Sequence, residues 1–493
     1  MKNRIVQACF LIAFATIGQA QTTLTPNYTR ILHDDFRGTI GSVNLLSQRV
    51  TVYSYKSNYS RKHFVSTFDT TSGTLLNQVI DAIYYPGSMT SVRELPSRSR
   101  FFAAYESPDG LDYTGRARVL EITPSDQVIR HEMSDRAQFN FWDVAESGRR
   151  RWILSGGETL RIDDPDSGFP DLWVKSNDGT EWHYRPGEGD PFDSSDEFRA
   201  GAIDNQGNTW AAFFGKPELT DPQNLWLVRL NSGGQVTAKF TLQNGAIRFI
   251  ETVRSVTPGT NREDALIFAQ GEVRRADLIT GLGSPVPFDH TIYSFHQLAN
   301  GQYFMRLDTP GIGLRTAIVN QDFTIAASYP NGNATVDRLD RVVRSITPLA
   351  ADEARFQIET GAEPTVFSVP GVGSINSLNF DRYQNLVLTT YLSGRMRLVG
   401  VSNLKELNGP AAPVAPGATV PFQINLNFNA PPSGLRVLLY SQPGLTLPTE
   451  VIVPPGANSF TVDGTVTATD ARTIRVRAKA AGKSFYSSVT VEP

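Results

Sequence analysis

From about residue 24 to 405 the apolar residues come in short runs, broken by clusters of Asn, Asp, Gly, Pro and Ser. No long stretch has the 3.6-residue period of an amphipathic helix. Leu225-Trp226-Leu227-Val228-Arg229-Leu230 runs into Asn231-Ser232-Gly233-Gly234 and continues as Val236-Thr237-Ala238-Lys239-Phe240. Leu172 to Lys175 and Glu181 to Tyr184 flank Asn177-Asp178-Gly179 in the same way, and Val119 to Ile122 leads through Pro124-Ser125-Asp126 to Val128-Ile129. Each predicts a strand, a tight turn and a returning strand, with Asn, Asp and Gly supplying the positive φ that such turns need. The turns fall near residues 71, 124, 178, 232, 279, 321, 361 and 403. That spacing, about 40 to 55 residues, is the size of a four-stranded propeller blade. Tandem β-sandwiches give similar spacing and stay open as an alternative. The expected fold is all-β: a seven-bladed β-propeller, with eight blades as the alternative count.

Several turns carry residues that resemble known propeller repeats. Asp69-Thr70-Thr71-Ser72-Gly73 and Asp277-Leu278-Ile279-Thr280-Gly281 are similar to the D-x-x-[ST]-G turn of pyrroloquinoline-quinone-type blades. Asp204-Asn205-Gln206-Gly207-Asn208-Thr209-Trp210 resembles the D-x-x-G-N-x-W turn of streptogramin-lyase-like and NHL-like propellers. Asp381-Arg382-Tyr383-Gln384-Asn385 is a degenerate copy without the glycine, and Leu298-Ala299-Asn300-Gly301 resembles an L-x-N-G propeller turn. These resemblances imply how a blade turns. They do not carry over a cofactor ligand or an activity, because a fold does not fix a function.

The pattern changes at Asn408-Gly409-Pro410-Ala411-Ala412-Pro413-Val414-Ala415-Pro416-Gly417, a composition that favours an extended connector. Beyond it Phe422-Gln423-Ile424-Asn425-Leu426-Asn427-Phe428 alternates strictly, as a half-buried strand does. Further strands are expected at Leu435–Tyr440, Val451–Val453, Ser459–Val462, Thr473–Ala478 and Phe485–Val491. So many short strands in so few residues predict a β-sandwich. Val451-Ile452-Val453-Pro454-Pro455-Gly456-Ala457-Asn458-Ser459 resembles a segment of bacterial Ig-like modules, which implies a spacer or docking role. Sugar binding would call for exposed aromatic platforms, and the Phe and Tyr residues here read mostly as inward-facing. The expected organisation is a signal peptide at 1–20, a propeller at 21–408, a linker at 409–416 and an Ig-like sandwich at 417–493.

The first twenty residues have the layout of a secretory signal. Lys2 and Arg4 precede the apolar run Ala8 to Ala15, and Gly18-Gln19-Ala20 places small residues before a cleavage point at Gln21. The run is too short to span a bilayer, and no later apolar run is long enough to do so. The single cysteine, Cys9, lies inside this segment, so the processed chain is expected to have no thiol chemistry. A bacterial periplasmic or secreted protein is expected.

Composition adds exclusions. In 493 residues, 40% apolar and 10% aromatic with 19% charged exclude disorder. Lys and Arg total 46 against 49 Asp and Glu, a net charge of −3, so no basic field points to nucleic acid. The chain shows no G-x-S-x-G elbow, no P-loop and no H-E-x-x-H pair. The acidic stretch 158–198 holds Asp163, Asp164, Asp166 and Asp171, the start of a calcium loop without its closing glutamate, and these four are the candidate calcium ligands. No other cofactor is expected. Trp182, His183 and Arg185 offer stacking and hydrogen-bond donors for a ligand pocket. The short basic cluster Arg149-Arg150-Arg151 reads as turn or edge-strand charge. The leading expectation is an exported, non-catalytic binding or scaffold protein whose propeller face takes an unknown protein or carbohydrate ligand. The alternative is an exported propeller lyase or hydrolase acting on a polysaccharide or another small polar substrate.

Overall fold

The computed structural model describes residues 21–492 apart from 35, 44–47, 57–61, 83–92, 96, 98, 107–115, 126, 135–137, 161–167, 185–196, 216–223, 243–248, 258–259, 270, 278–279, 299, 331–333 and 360–363. Among the described residues every regular element is a strand, and the strands form many small sheets paired almost throughout antiparallel. The protein is all-β and propeller-like.

Eight sheets precede the C-terminal region among the described residues. The first consists of Phe36–Val43, Arg49–Lys56, Lys62–Asp69 and Leu75–Ala82, hydrogen-bonded in chain order. Sheets spanning 93–134, 138–184, 197–242, 249–287 and 291–330 repeat this up-and-down order, and the fifth adds a short extra strand. The seventh spans 334–369, and Gln21–Thr23 pairs parallel to its last strand, Thr365–Val369. The eighth takes three strands, Ser374–Phe380, Leu386–Leu392 and Arg395–Val401, from late in the chain. Its fourth strand, Tyr28–Asp34, comes from early in the chain, with Tyr28 opposite Gly400. Phe36–Val43 of the first sheet touches all three late strands of the eighth, so the series returns to its start.

The cores lie between sheets. Trp152, Leu154 and Val174 of the third sheet pack with Ile203, Phe213 and Val228 of the fourth. In the eighth sheet, Leu386 and Leu388 face Phe356 and Phe367 of the seventh, while Val387 faces Val50 and Val52 of the first. Such strands are apolar at successive positions because both faces are covered.

In an up-and-down sheet, the hairpins joining strands one to two and three to four share an end. We call this the turn face. The expected turns near 71, 124, 178, 232 and 321 are all third-to-fourth hairpins.

Two further antiparallel sheets close the chain. One joins Leu404–Asn408, Thr419–Leu426, Ser459–Val466 and Leu445–Thr446, and the other joins Glu450–Val453, Leu435–Ser441, Arg472–Ala480 and Lys483–Val491. They enclose one core that includes Phe422, Ile424, Val437, Val462 and Val476. Thr419–Leu426 alternates buried and exposed along its length, as its sequence anticipates. The boundary lies earlier than the Pro/Ala run suggests. Leu404–Asn408 pairs with Thr419–Leu426, so residues 409–416 connect two strands of one sheet instead of preceding it.

Candidate functional site

The turn face is built by a recurring aspartate. Asp204, Asp337 and Asp381 each open the first hairpin of a sheet. In each, one carboxylate oxygen accepts from the backbone N–H groups two and four residues on. These donors are Gln206 and Asn208 at 2.7 and 2.8 Å, Leu339 and Arg341 at 2.9 and 3.0 Å, and Tyr383 and Asn385 both at 2.9 Å. The other oxygen accepts from the side chain four residues on, namely Asn208, Arg341 or Asn385. A short side-chain acceptor at the turn start thus replaces lost backbone partners. It also reaches sideways. Asp381 accepts from Thr70 of the first sheet at 2.8 Å, and Asp337 accepts from Gln384 of the eighth at 2.8 Å.

The missing glycine of the Asp381 copy has a structural answer. Gln384 takes φ 64 where the Asp204 copy has Gly207 at φ 85. A non-glycine residue there costs about 1–2 kcal/mol, and the Gln384 side chain offsets it by bridging Asp337 and the backbone N–H of Arg338. Burial pushes the Asp381 carboxyl above the ordinary aspartate range, opposed by the hydrogen bonds donated to it.

The C-terminal sheets dock on this face where the chain leaves the eighth sheet. Asn385 Oδ1 accepts from the Asn403 N–H at 2.8 Å, and Asn403 Oδ1 accepts from the Phe428 N–H at 2.8 Å. Phe428 enters the core of the seventh and eighth sheets, 5.3 Å from the Phe367 ring and 5.4 Å from that of Phe380. A relay of buried amides and one inserted ring therefore fixes the junction.

Beside it lies a cleft of about 250 Å³ between the seventh sheet and the C-terminal sheets. Ile358, Phe367, Leu426 and Phe428 supply its apolar floor, and Arg341, Lys405, Asn427, Asn429 and Asn458 its polar wall. Arg341 is held by Asp337 through Nε at 2.8 Å and Nη2 at 2.6 Å, and its Nη1 donates to Asn429 Oδ1 at 2.9 Å. Asn427 is fixed through Nδ2 to the Ser402 carbonyl at 2.8 Å. Lys405 is exposed, and no carboxylate pairs with it among the described residues. Among the described residues no acidic side chain lines the cleft. It offers guanidinium, ammonium and carboxamide donors over an apolar base, which suits recognition of a small polar ligand.

Elsewhere on the turn face Glu121 is fully buried and joins the second sheet to the third. It pairs with Arg151 at 2.6 Å, with His131 at 3.0 Å and accepts from Ser99 at 2.7 Å. Burial alone would raise the Glu121 carboxyl, but His131, Ser99 and Arg151 together bring it below the ordinary glutamate range. Buried Arg100 alongside donates to Thr67 at 2.7 Å. Arg151 therefore does more than charge an edge, the reading its sequence suggested. Arg150 stacks on Trp152 at 4.0 Å and pairs with Asp178 at 2.8 Å.

Of the residues singled out from sequence, Trp182, His183 and Asp171 are among those described. Trp182 and His183 are neighbours on the outermost strand of the third sheet and point to opposite faces. Trp182 lies on the Asn231–Gln235 turn and donates to the Ser232 carbonyl at 3.0 Å, whereas exposed His183 sits 6.2 Å from the Trp173 ring. Arg185 lies outside the described residues, as do the candidate calcium ligands Asp163, Asp164 and Asp166. Asp171 sits in the strand Gly168–Ser176, its backbone opposite Gly157. Among the described residues no group of three or more His, Cys, Asp or Glu could hold a metal ion. The cleft residues escaped sequence reading because Arg341, Lys405 and Asn427 lie on separate elements and meet only through docking.

Neither a protein-family model nor a curated protein matches the chain. Among solved structures it is similar to a dipeptidyl peptidase 4 from Porphyromonas gingivalis, with a TM-score of 0.42 and 10% identity over 81% of this chain and 65% of that one, just under two thirds of its length. It is also similar to BBS1N, solved in complex with ARL6DN, with a TM-score of 0.36 and 8% identity over 77% of this chain and 97% of that one. A third likeness is to a protein of unknown function from Bacteroides caccae, with a TM-score of 0.29 and 15% identity over 53% of this chain and 88% of that one. None of these likenesses transfers an activity. No helix among the described residues is long and apolar enough to cross a membrane.

Proposed function

We propose that the chain is an exported, non-catalytic binding protein: an eight-bladed propeller with an Ig-like sandwich docked on its turn face, holding a small polar ligand in the cleft between them. The supporting observation is the cleft itself. Its amide and guanidinium groups are already oriented by Asp337, Asn403 and Ser402, so a ligand would meet a preformed wall and lose little affinity to ordering side chains. The eight successive sheets, the last completed by Tyr28–Asp34, support the blade count. The sandwich, with no tryptophan and no cysteine, would be an Ig-like module without the antibody-type core.

A ligand that binds only the folded state at 100 times its Kd stabilises it by about 2.7 kcal/mol. The test is a thermal-shift panel of small carboxylates, sugar acids and neutral sugars on the wild type and on Lys405→Glu. At least one compound is expected to raise the wild-type melting temperature and fail on the variant. A panel without a hit, or hits that stabilise both proteins equally, would remove the cleft as the site. Export is tested separately, by intact mass of protein from the native host, which is expected to lack residues 1–20.

A further inference from the structure

The outer face of the second C-terminal sheet carries a row that the proposed cleft does not use. Tyr440 stands directly opposite Arg477, and Arg477 directly opposite Tyr486, across three adjacent strands. Both tyrosines point to solvent, 45% and 65% exposed, although the sequence pattern placed the aromatic residues of this region mostly inward. Arg477 lies over the Tyr440 ring at 4.2 Å. Adjacent strands are about 4.8 Å apart, so the two rings are about 9.5 Å apart on a flat surface.

Most of the rest of the face is charged or hydroxylated. Lys479 and Ser484 form the next row, and Arg475 and Ser488 the one beyond. Arg436 pairs with Glu450, but no carboxylate pairs with Arg475, Arg477 or Lys479 among the described residues. The face is thus net positive in a chain whose net charge is −3. A protein partner would call for a contiguous apolar centre. Here the aliphatic residues are interrupted: half-buried Leu438 sits between Glu450 and Lys479, and exposed Ile452 lies opposite Arg436.

We propose that this face binds an acidic polysaccharide chain laid across the strands. The C–H faces of two of its sugar rings would stack on Tyr440 and Tyr486, and its carboxylates would pair with Arg477, Lys479 and Arg475. A cation over the Tyr440 ring is itself favourable and stays available to a carboxylate. Two planar rings separated by two strand spacings match a repeating, extended ligand better than a compact one.

The test is affinity electrophoresis of the processed full chain in gels containing polygalacturonate, a neutral glucan or duplex DNA. Retardation is expected in polygalacturonate and not in the neutral glucan. Tyr486→Ala and Arg477→Gln are each expected to weaken it at least tenfold with an unchanged melting temperature, and Lys405→Glu in the cleft to leave it unaltered. The cleft can therefore fail its own test without affecting this one. No retardation in polygalacturonate, full retardation of Tyr486→Ala, or equal retention by DNA would each overturn the proposal.

Discussion

The propeller-like sheets and the C-terminal pair are made of the same antiparallel hairpins, yet their strands obey different rules. Leu386–Leu392 is buried at five successive positions, because Leu386 and Leu388 face the seventh sheet and Val387 faces the first. Thr419–Leu426 is buried at every second position, because only one of its faces meets a partner sheet. The same local conformation therefore tolerates change very differently in the two regions. Stacked sheets have two inner faces, whereas a sandwich sheet has one inner and one free to present side chains outward. The proposed polysaccharide face lies on such a free side.

Breaking a contact between stacked sheets is expected to have the largest effect. Trp152 is fully buried and packs so closely on the turn of the next sheet that a Cβ on Gly207 would come within 2.3 Å of its ring. Trp152→Ala is expected to cost about 3–5 kcal/mol, read from the denaturant midpoint.

Next comes the buried carboxylate. Glu121→Gln leaves Arg151 without its charge partner and is expected to cost about 1.5–3 kcal/mol at neutral pH. The pH dependence follows from the sign of the shift. The Glu121 carboxyl titrates below its unfolded value, so its contribution is complete above about pH 4.3 and is lost as pH falls through the lowered folded value. Stability curves for wild type and Glu121→Gln should therefore converge on acidification. A gap that stays constant down to low pH would contradict this role.

The sharpest form of the comparison introduces threonine at two positions. Val387→Thr buries a hydroxyl between sheets and is expected to cost about 1–3 kcal/mol. Gln423→Thr, on the outward side of Thr419–Leu426, is expected to stay within about 0.5 kcal/mol of wild type. Equal costs at the two sites would undo the distinction between doubly and singly covered strands.

Much of this architecture is legible in the sequence because it is local. Turn residues marked the third-to-fourth hairpin of sheet after sheet, including Asp69–Gly73, Asn177–Gly179 and Asn231–Gly234. Near residue 403 the same spacing led to a place where no hairpin forms, since the fourth strand of that sheet is Tyr28–Asp34. Pairing between residues more than 350 positions apart leaves no trace in a local pattern. Leu404–Asn408 was missed for a related reason, because its partner lies beyond a proline-rich run that reads as a boundary. The Asp337 turn also went unnoticed. Its glycine and asparagine positions hold Asp340, at φ 58, and Arg341, so only the leading aspartate keeps the motif. The cleft could not be read at all, because it exists only once Phe428 is seated between the seventh and eighth sheets.

That seating is the central claim, since a fixed cleft requires the C-terminal sheets to be held on the turn face. Differential scanning calorimetry of the processed chain, with and without Phe428→Ala, tests it most directly. The wild type is expected to unfold in one transition, and Phe428→Ala to lower that transition or divide it in two. Two independent transitions in the wild type, neither moved by Phe428→Ala, would show that the C-terminal sheets are not held there and that no fixed cleft exists.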